Sequence, residues 1–318
     1  MNYIVKRILQ ALPTLFIVVL LNFVLVRLAP GDPISYILSN TAEAPPALVQ
    51  EYIHQFGLDQ PIYVQFEVYF SRLLQGDLGY SFTYNAPIST IIVPKVEATL
   101  LLTLVALALQ ILLGMGMGIW AMKGSRFKGI LLNVSSIISW SAPTFWVGMI
   151  LVILLGVNLK IFPVGGMFSF GVSESQLYTD ILWHLILPAL SLALAGYGLY
   201  FRLTRASFIE TLSQDYIVTA RAKGCSASTV LLKHAFKNAL LPIITIIGTN
   251  ASFLITGAAL IEVVFGWPGI GYQLNYAIGA RDYAMIEAIF LVVAVIVIIS
   301  NLLADIAYTI IDPRVRYA

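Results

Sequence analysis

Residues 214–224 read QDYIVTARAKG, a short polar stretch set between long apolar runs. Asp215, Arg221 and Lys223 crowd together and stop at Gly224, while the 318-residue chain as a whole is 59% hydrophobic and only 11% charged. A soluble domain carries about a quarter charged residues. The chain therefore reads as an integral membrane protein, and the side of the membrane that holds this stretch bears on what the protein does.

Working outward, six stretches are apolar over about 20 residues, enough to cross a hydrocarbon core of about 30 Å as a helix. They lie at 8–29, 97–121, 130–157, 181–201, 242–262 and 285–311. Period-two alternation is absent, which argues against a membrane β-barrel. The expected fold is an all-α integral membrane protein with six transmembrane helices. Lys6 and Arg7 precede the first stretch as they would in a signal peptide. Its long core, however, runs into VRLAPGDP with no small-x-small cleavage site, so an uncleaved helix is expected, with a kink at Pro13.

Six spans place both termini on one side. Thirteen of the eighteen Lys and Arg fall on that side, among them Lys6, Arg7, Lys123, Arg126, Lys128, Arg202, Arg205, Arg314 and Arg316. Twelve of the sixteen acidic residues fall on the other. The positive-inside rule then makes both termini and QDYIVTARAKG cytoplasmic. Outer segments are expected at 30–96, 158–180 and 263–284, and the largest cytoplasmic segment at 202–241. Cys225 is the single cysteine, which excludes an internal disulfide, and His54, His184 and His234 are too scattered for a metal site. Neither a metal nor a nucleic-acid partner is expected.

Thr211 to Lys223 reads as a helix of about three turns, with Ser213 or Asp215 able to cap its start and Gly224 suited to the left-handed position that ends it. Ser226 or Ser228 can cap a second helix reaching Asn238 and stopped by Pro242. Ala220 and Ala222 keep the first helix slim, and Tyr216, Ile217 and Val218 give it an apolar side. Two readings stay open on these residues: a helix that docks into a groove on another protein, or a basic loop that only fixes topology.

DYIVTARAKG, followed eighteen residues after Gly224 by Pro242 in NALLP, closely resembles the cytoplasmic signature of binding-protein-dependent ABC importer permeases. Within that family it is similar to the peptide and nickel branch. The general pattern has Glu-Ala-Ala, three residues and Gly; here Val218, Thr219 and Ala220 precede Gly224, and His234-Ala-Phe-Lys237 occupies the later slot, departures that resemble the peptide branch. The same likeness runs through RLAPGDP (27–33), GLDQPIYVQF (57–66), GDLGYSF (76–82), APTFWVG (142–148), FPVGG (162–166), EVVFGWPGIG (262–271) and RDYA (281–284).

The resemblance implies the type I ABC importer transmembrane fold in the first permease of such a system. It implies an N-terminal helix and acidic outer segment at 1–94, a transport core at 95–311 and a cytoplasmic tail at 312–318. It makes Asp215, Tyr216, Thr219, Ala220, Arg221, Ala222, Lys223 and Gly224 the coupling residues that seat in a cleft of an ATPase subunit. Implied partners are two cytoplasmic ATPases, which bind the ATP and magnesium, and an extracytoplasmic solute-binding protein, all at the cytoplasmic membrane of a prokaryote. The chain shows no internal repeat, so a second, homologous permease is expected beside it. Dipeptides or oligopeptides are the expected cargo, with nickel or a nickel chelate as the alternative.

Other motifs fit this frame. No GxxxxGK[ST] occurs, so the chain has no phosphate-cradling loop of its own and no cofactor is expected on it. Nor does any span hold a central ionisable residue of the kind proton-coupled transporters keep. Asn133, Ser135, Ser136, Ser139, Ser141 and Thr144, on a span expected to bend at Pro143, are candidate pathway residues with Asn250, although small polar residues serve helix packing equally well. Trp140 and Trp146 are expected to pack or to mark the interface. AGYG (195–198) echoes a potassium filter but lies inside a continuous span. His184 and Ser191 stand about 10 Å apart along one helix face, too far for an intramembrane hydrolase, and His184 is placed at the outer interface. Glu262, Trp267, Pro268, Gly269 and Gly271 belong to the turn-rich GWPGIG region, open to reading as a gate, a docking surface or a tight surface turn.

Overall fold

Pro143 interrupts an apolar stretch long enough to read as one span. It has no N–H, and it biases the residue before it away from helix; Ala142 accordingly takes an extended conformation (φ −77°, ψ 130°). In the computed structural model, which describes residues 3–28, 59–81, 83–122 and 125–311, the stretch expected as one span at 130–157 is two helices. Helix α4 (Arg126–Ser141) and the helix that follows are bent by 106°. The bend that Pro143 leads one to expect is thus a full break between two helices.

In chain order, α1 is Tyr3–Leu28, α2 Ile62–Leu74, β1 Tyr80–Ser81, β2 Ala86–Pro87 and α3 Ile88–Met122. After α4 come α5 (Thr144–Leu151), which continues as a π-helical turn (Val152–Asn158), a 3-10 turn (Glu174–Gln176) and α6 (Leu177–Leu212). Then follow α7 (Asp215–Ala222), α8 (Ala227–Thr229), a π-helical turn (Val230–Ala235), α9 (Phe236–Ala239), α10 (Leu241–Phe265), α11 (Ile270–Gly279) and α12 (Tyr283–Ile311). Each of the other five expected spans falls on a helix. Among the described residues, Ile88–Met122, Glu174–Leu212 and Tyr283–Ala304 are individually long and apolar enough to cross a membrane. Pro13 lies inside α1, which runs on without a break. The expected tail 312–318 and residues 29–58 of the expected outer segment lie outside the described residues.

The described residues form two compact units, discontinuous in sequence. One lies within 1–98 and 268–299. Its apolar core joins Ile88 and Ile92 of α3 to Ile270 and Ala277 of α11 and to Met285, Ala288 and Ile289 of α12. β1 and β2 close a two-residue antiparallel ladder, Tyr80 opposite Pro87 and Ser81 opposite Ala86. Ser81 donates to the buried Asp282 carboxylate, whose other oxygen accepts from the Met285 N–H at the start of α12. Arg27 ties α1 to α12 through Glu287 at 2.7 Å, and Asn22 donates to the Glu287 carbonyl.

The second unit lies within 99–267 and 300–318 and is built on α6, against which α4, α5 and α10 pack. α6 is buried along most of its length because its neighbours approach to backbone contact, as small residues allow in membranes. A Cβ on Gly114 of α3 would stand 2.5 Å from the Tyr200 Cβ, and one on Gly118 would stand 2.9 Å from the Thr204 Cβ. A Cβ on Gly198 would collide with the Ser136 carbonyl of α4. Residues 263–284, expected as an outer segment, contain the end of α10, the whole of α11 and the start of α12.

Candidate functional site

The polar stretch QDYIVTARAKG folds as a separate short helix. α6 ends at Leu212, where Ser213 and Gln214 N–H groups donate to Glu210 and Thr211 carbonyls. Gln214 then turns extended and starts α7, whose eight residues make about 12 Å of helix. The expected helix from Thr211 is thus broken at 213–214. The expected side-chain caps are absent too: Ser213 Oγ bonds back to Glu210, and Gln214 caps without a side-chain bond. The C-terminus is as expected. Gly224 sits at φ +78°, its N–H donating to Arg221 O and that of Cys225 to Ala220 O, the paired bonds of a Schellman ending. Ser226 caps the following helix, accepting from the Thr229 N–H at 3.3 Å.

Ile217 and Ala220 face inward, into a core of Phe208, Val230, Leu231, Ala235 and Ala239. Ala220, expected to keep the helix slim and counted among the coupling residues, is buried against this hairpin. Ser207 donates to the Ala239 carbonyl, and Asn238 to the Tyr216 hydroxyl, so α6 and α9 hold α7 rigidly. What remains outward is Asp215, Tyr216, Val218, Thr219, Arg221, Ala222, Lys223 and Gly224. A short rigid ridge with mixed charge and one apolar projection, Val218 at 59% exposure, is a surface a partner groove can grip.

The α4–α5 bend makes a second feature. Where it meets α3, α6 and α10 lies an open cleft of about 230 Å³ lined by Gln110, Trp140, Thr144, Leu192, Gly196 and Asn250, with Ala142, Ala195, Leu254 and Gly257. Its polar groups are preset. Gln110 donates to the Leu192 carbonyl at 2.9 Å, close against Gly196, where a Cβ would strike its amide. Asn250 donates to the Tyr200 hydroxyl at 3.0 Å and to Gln110 Oε1 at 3.5 Å.

Of the candidate pathway residues, Thr144 and Asn250 open onto this cleft. Ser139 and Ser136 do not: Ser139 donates to Leu194 O at 2.6 Å, and Ser136 is wholly buried under Gly198, bonding Asn133 O. Asn133 is half-buried beside them, and Ser141 is exposed at the bend. Gln110 and Tyr200 went unnoticed in the sequence, although an amide in the middle of the apolar run 97–121 is itself a signal. Trp140, read as a packing or interface residue, lines the cleft.

The GWPGIG and FPVGG motifs are packed rather than loose. Gly266 (φ +56°) ends α10, the Trp267 N–H donates to Glu262 O, and the Trp267 side chain is completely buried. Glu262 is equally buried, accepting from Thr99 Oγ1 at 2.6 Å. FPVGG seats on the same helix end: Gly166 N–H donates to Phe265 O at 2.7 Å, and a Cβ on Gly165 would lie 2.8 Å from that oxygen. Pro268 follows the buried indole, Gly269 caps α11 and Gly271 lies in its first turn. A tight surface turn is therefore excluded for Trp267. His184, expected at an interface, is buried with Nδ1 2.9 Å from the Asp180 carbonyl.

Comparison with known proteins fits this architecture. Residues 110–317 match the family described as binding-protein-dependent transport system inner membrane component, and residues 1–103 match its N-terminal companion. The chain is 39% identical over 319 residues to the oligopeptide transport system permease protein AppB of Bacillus subtilis, covering 99% of each. It is 38% identical over 321 residues to the glutathione transport system permease protein GsiC of Escherichia coli K12, covering 100% of this chain and 99% of that one. Among solved structures, the MetNI methionine ABC transporter aligns with a TM-score of 0.55 at 15% identity, over 70% of this chain and 97% of the other. An amino acid ABC transporter aligns at 0.52 and 16%, over 71% and 94%. These two likenesses bear on the fold alone. Along its whole length, the chain belongs to the binding-protein-dependent transport system inner membrane components, as a multi-pass protein of the inner membrane.

Proposed function

We propose that this chain is one permease subunit of an ATP-driven importer that carries dipeptides or oligopeptides into the cell. Full-length identity of 39% to an oligopeptide permease carries the reading, and a relative named for glutathione transport points the same way. These names favour peptides over nickel or a nickel chelate.

In this reading α1, α3, the bent α4–α5 pair, α6, α10 and α12 make six crossings, and the Lys and Arg count sets both termini in the cytoplasm. A second homologous permease completes the pathway, two ATPase subunits bind ATP and magnesium, and a solute-binding protein delivers cargo outside. The chain performs no chemistry of its own. ATP closes the ATPases, the outward ridge of α7 transmits that movement, and the bundle shifts between two packings whose relative stability the nucleotide sets. The α4–α5 bend, with Gln110, Thr144 and Asn250 beside it, is the proposed place where cargo passes, since broken helices line such sites.

The test is reconstitution with the candidate partners, measuring uptake of di-, tri- and longer peptides in competition with nickel. Peptide uptake that needs ATP hydrolysis is the expected result; uptake persisting without the ATPases, or displaced only by nickel, overturns the reading.

A further inference from the structure

Helix α2 belongs to the segment that hydropathy assigns to the outside, yet it packs on the apolar middle of α1. Arg27 Nε donates to Gln65 at 3.1 Å. Phe66 lies 5.2 Å from the Phe23 ring and 6.1 Å from that of Phe16, and Phe70 lies 5.5 Å from Phe16. α2 thus runs antiparallel down α1, from the level of Arg27 to that of Phe16. These two residues are eleven apart in one helix, a rise of about 16 Å, or half of a hydrocarbon core of about 30 Å.

The two helices expose different chemistry. α1 shows Leu12, Ile17, Leu20 and Leu21, an aliphatic face fit for lipid. α2 shows Tyr63, Glu67, Ser71 and Leu74, which share one face by helical spacing. An exposed carboxylate and hydroxyl at that depth are costly against acyl chains and are found where side chains meet water or a bundle interior. The way back outward satisfies its own backbone. Gly76 and Asp77 N–H groups donate to Leu73 and Arg72 carbonyls, and Asp77 pairs with Arg72 at 3.5 Å while accepting from the Gly79 N–H. Irregular backbone at membrane depth is tolerated where it lines a water-filled cavity.

We infer that α2 re-enters the membrane from its outer side and that its Tyr63–Glu67–Ser71–Leu74 face borders a narrow water-filled recess open to that side. The inference rests on α1 crossing the membrane as proposed above. Cys225 is the chain's only cysteine, so Cys225→Ser gives a clean background for single cysteines in the assembled importer. Sealed membranes with their outer face exposed are treated with a small charged methanethiosulfonate or with a maleimide on a long polyethylene glycol chain. Reaction is read as the mass shift of this chain, or its loss on later tagging in denaturant.

Asp59→Cys reacts with both reagents and Leu12→Cys with neither. Ser71→Cys reacts with the small reagent alone. Reaction of Ser71→Cys with both reagents, or with neither, overturns the inference. Reaction of Leu12→Cys with the small reagent instead overturns the assignment of α1 as a span. Glu67→Cys, one turn nearer the surface, reports the same outcomes should Ser71→Cys fail to assemble.

Discussion

Ile217 and Val218 are chain neighbours with opposite surroundings: one is fully buried in the hairpin core, the other 59% exposed. That contrast separates folding from coupling. Ala220→Asp sets a charge into the core beside Phe208 and Val230, destabilising the hairpin by on the order of 2–4 kcal/mol. Loss of assembled protein in membranes is the expected readout. Val218→Asp alters stability by no more than about 0.5 kcal/mol, yet places a carboxylate on the face proposed to meet the ATPase groove. Peptide moved per ATP hydrolysed should fall while the subunits still insert; unchanged coupling would sink the docking role of this face. Gly224 tests the same helix end differently. No atom lies within 4 Å of a Cβ built there, so Gly224→Ala meets only the backbone penalty of φ +78°, about 1–2 kcal/mol. Gly224→Pro also removes the N–H donated to Arg221 O and fixes φ near −65°, so it should uncouple hydrolysis from uptake more completely than alanine does.

At the level of elements, helix contact in the second unit depends on which glycines face α6. Gly114 and Gly116 are near neighbours on α3 with different surroundings. A Cβ on Gly114 would stand 2.5 Å from Tyr200 and 2.7 Å from the Tyr197 carbonyl, whereas Gly116 has no atom within 4 Å. Gly114→Ala should destabilise the packed unit by about 1–3 kcal/mol, seen as a lower thermal midpoint in detergent. Gly116→Ala should be neutral or slightly stabilising, and equal effects from the two would refute the close crossing. The positions of the helices were legible in hydropathy, because an apolar run long enough to cross a bilayer is seldom stable anywhere else. Their breaks were not. Residues 130–157 are apolar on both sides of Pro143, and composition does not distinguish a mild kink from a 106° bend. The inward turn of Ala220 was equally hidden, since eight residues of helix carry too little periodicity to reveal a buried side. Turn-rich GWPGIG suggested a surface corner, whereas Trp267 is fully buried, and a turn-forming composition does not tell which of its side chains faces the core.

On the scale of the whole molecule, α7 and the cleft near the α4–α5 bend are separate features that one transport cycle must join, and the cleft can be filled without disturbing α7. Gly257 of α10 lines it, and a Cβ there would meet no atom within 4 Å. Gly257→Phe therefore adds a ring to open space, and replacing a helical glycine contributes up to about 1 kcal/mol of stability on its own. Insertion, assembly with the ATPases and basal ATP hydrolysis should match the unaltered protein, since none of the α7 contacts changes. If cargo passes this bend, peptide uptake falls and cargo-stimulated hydrolysis falls with it. Longer peptides should be affected first, because a narrowed passage rejects bulk before it rejects chemistry. Uptake of every peptide length at the original rate, by a correctly assembled Gly257→Phe importer, would move the pathway elsewhere in the bundle and leave Gln110, Tyr200 and Asn250 with a packing role.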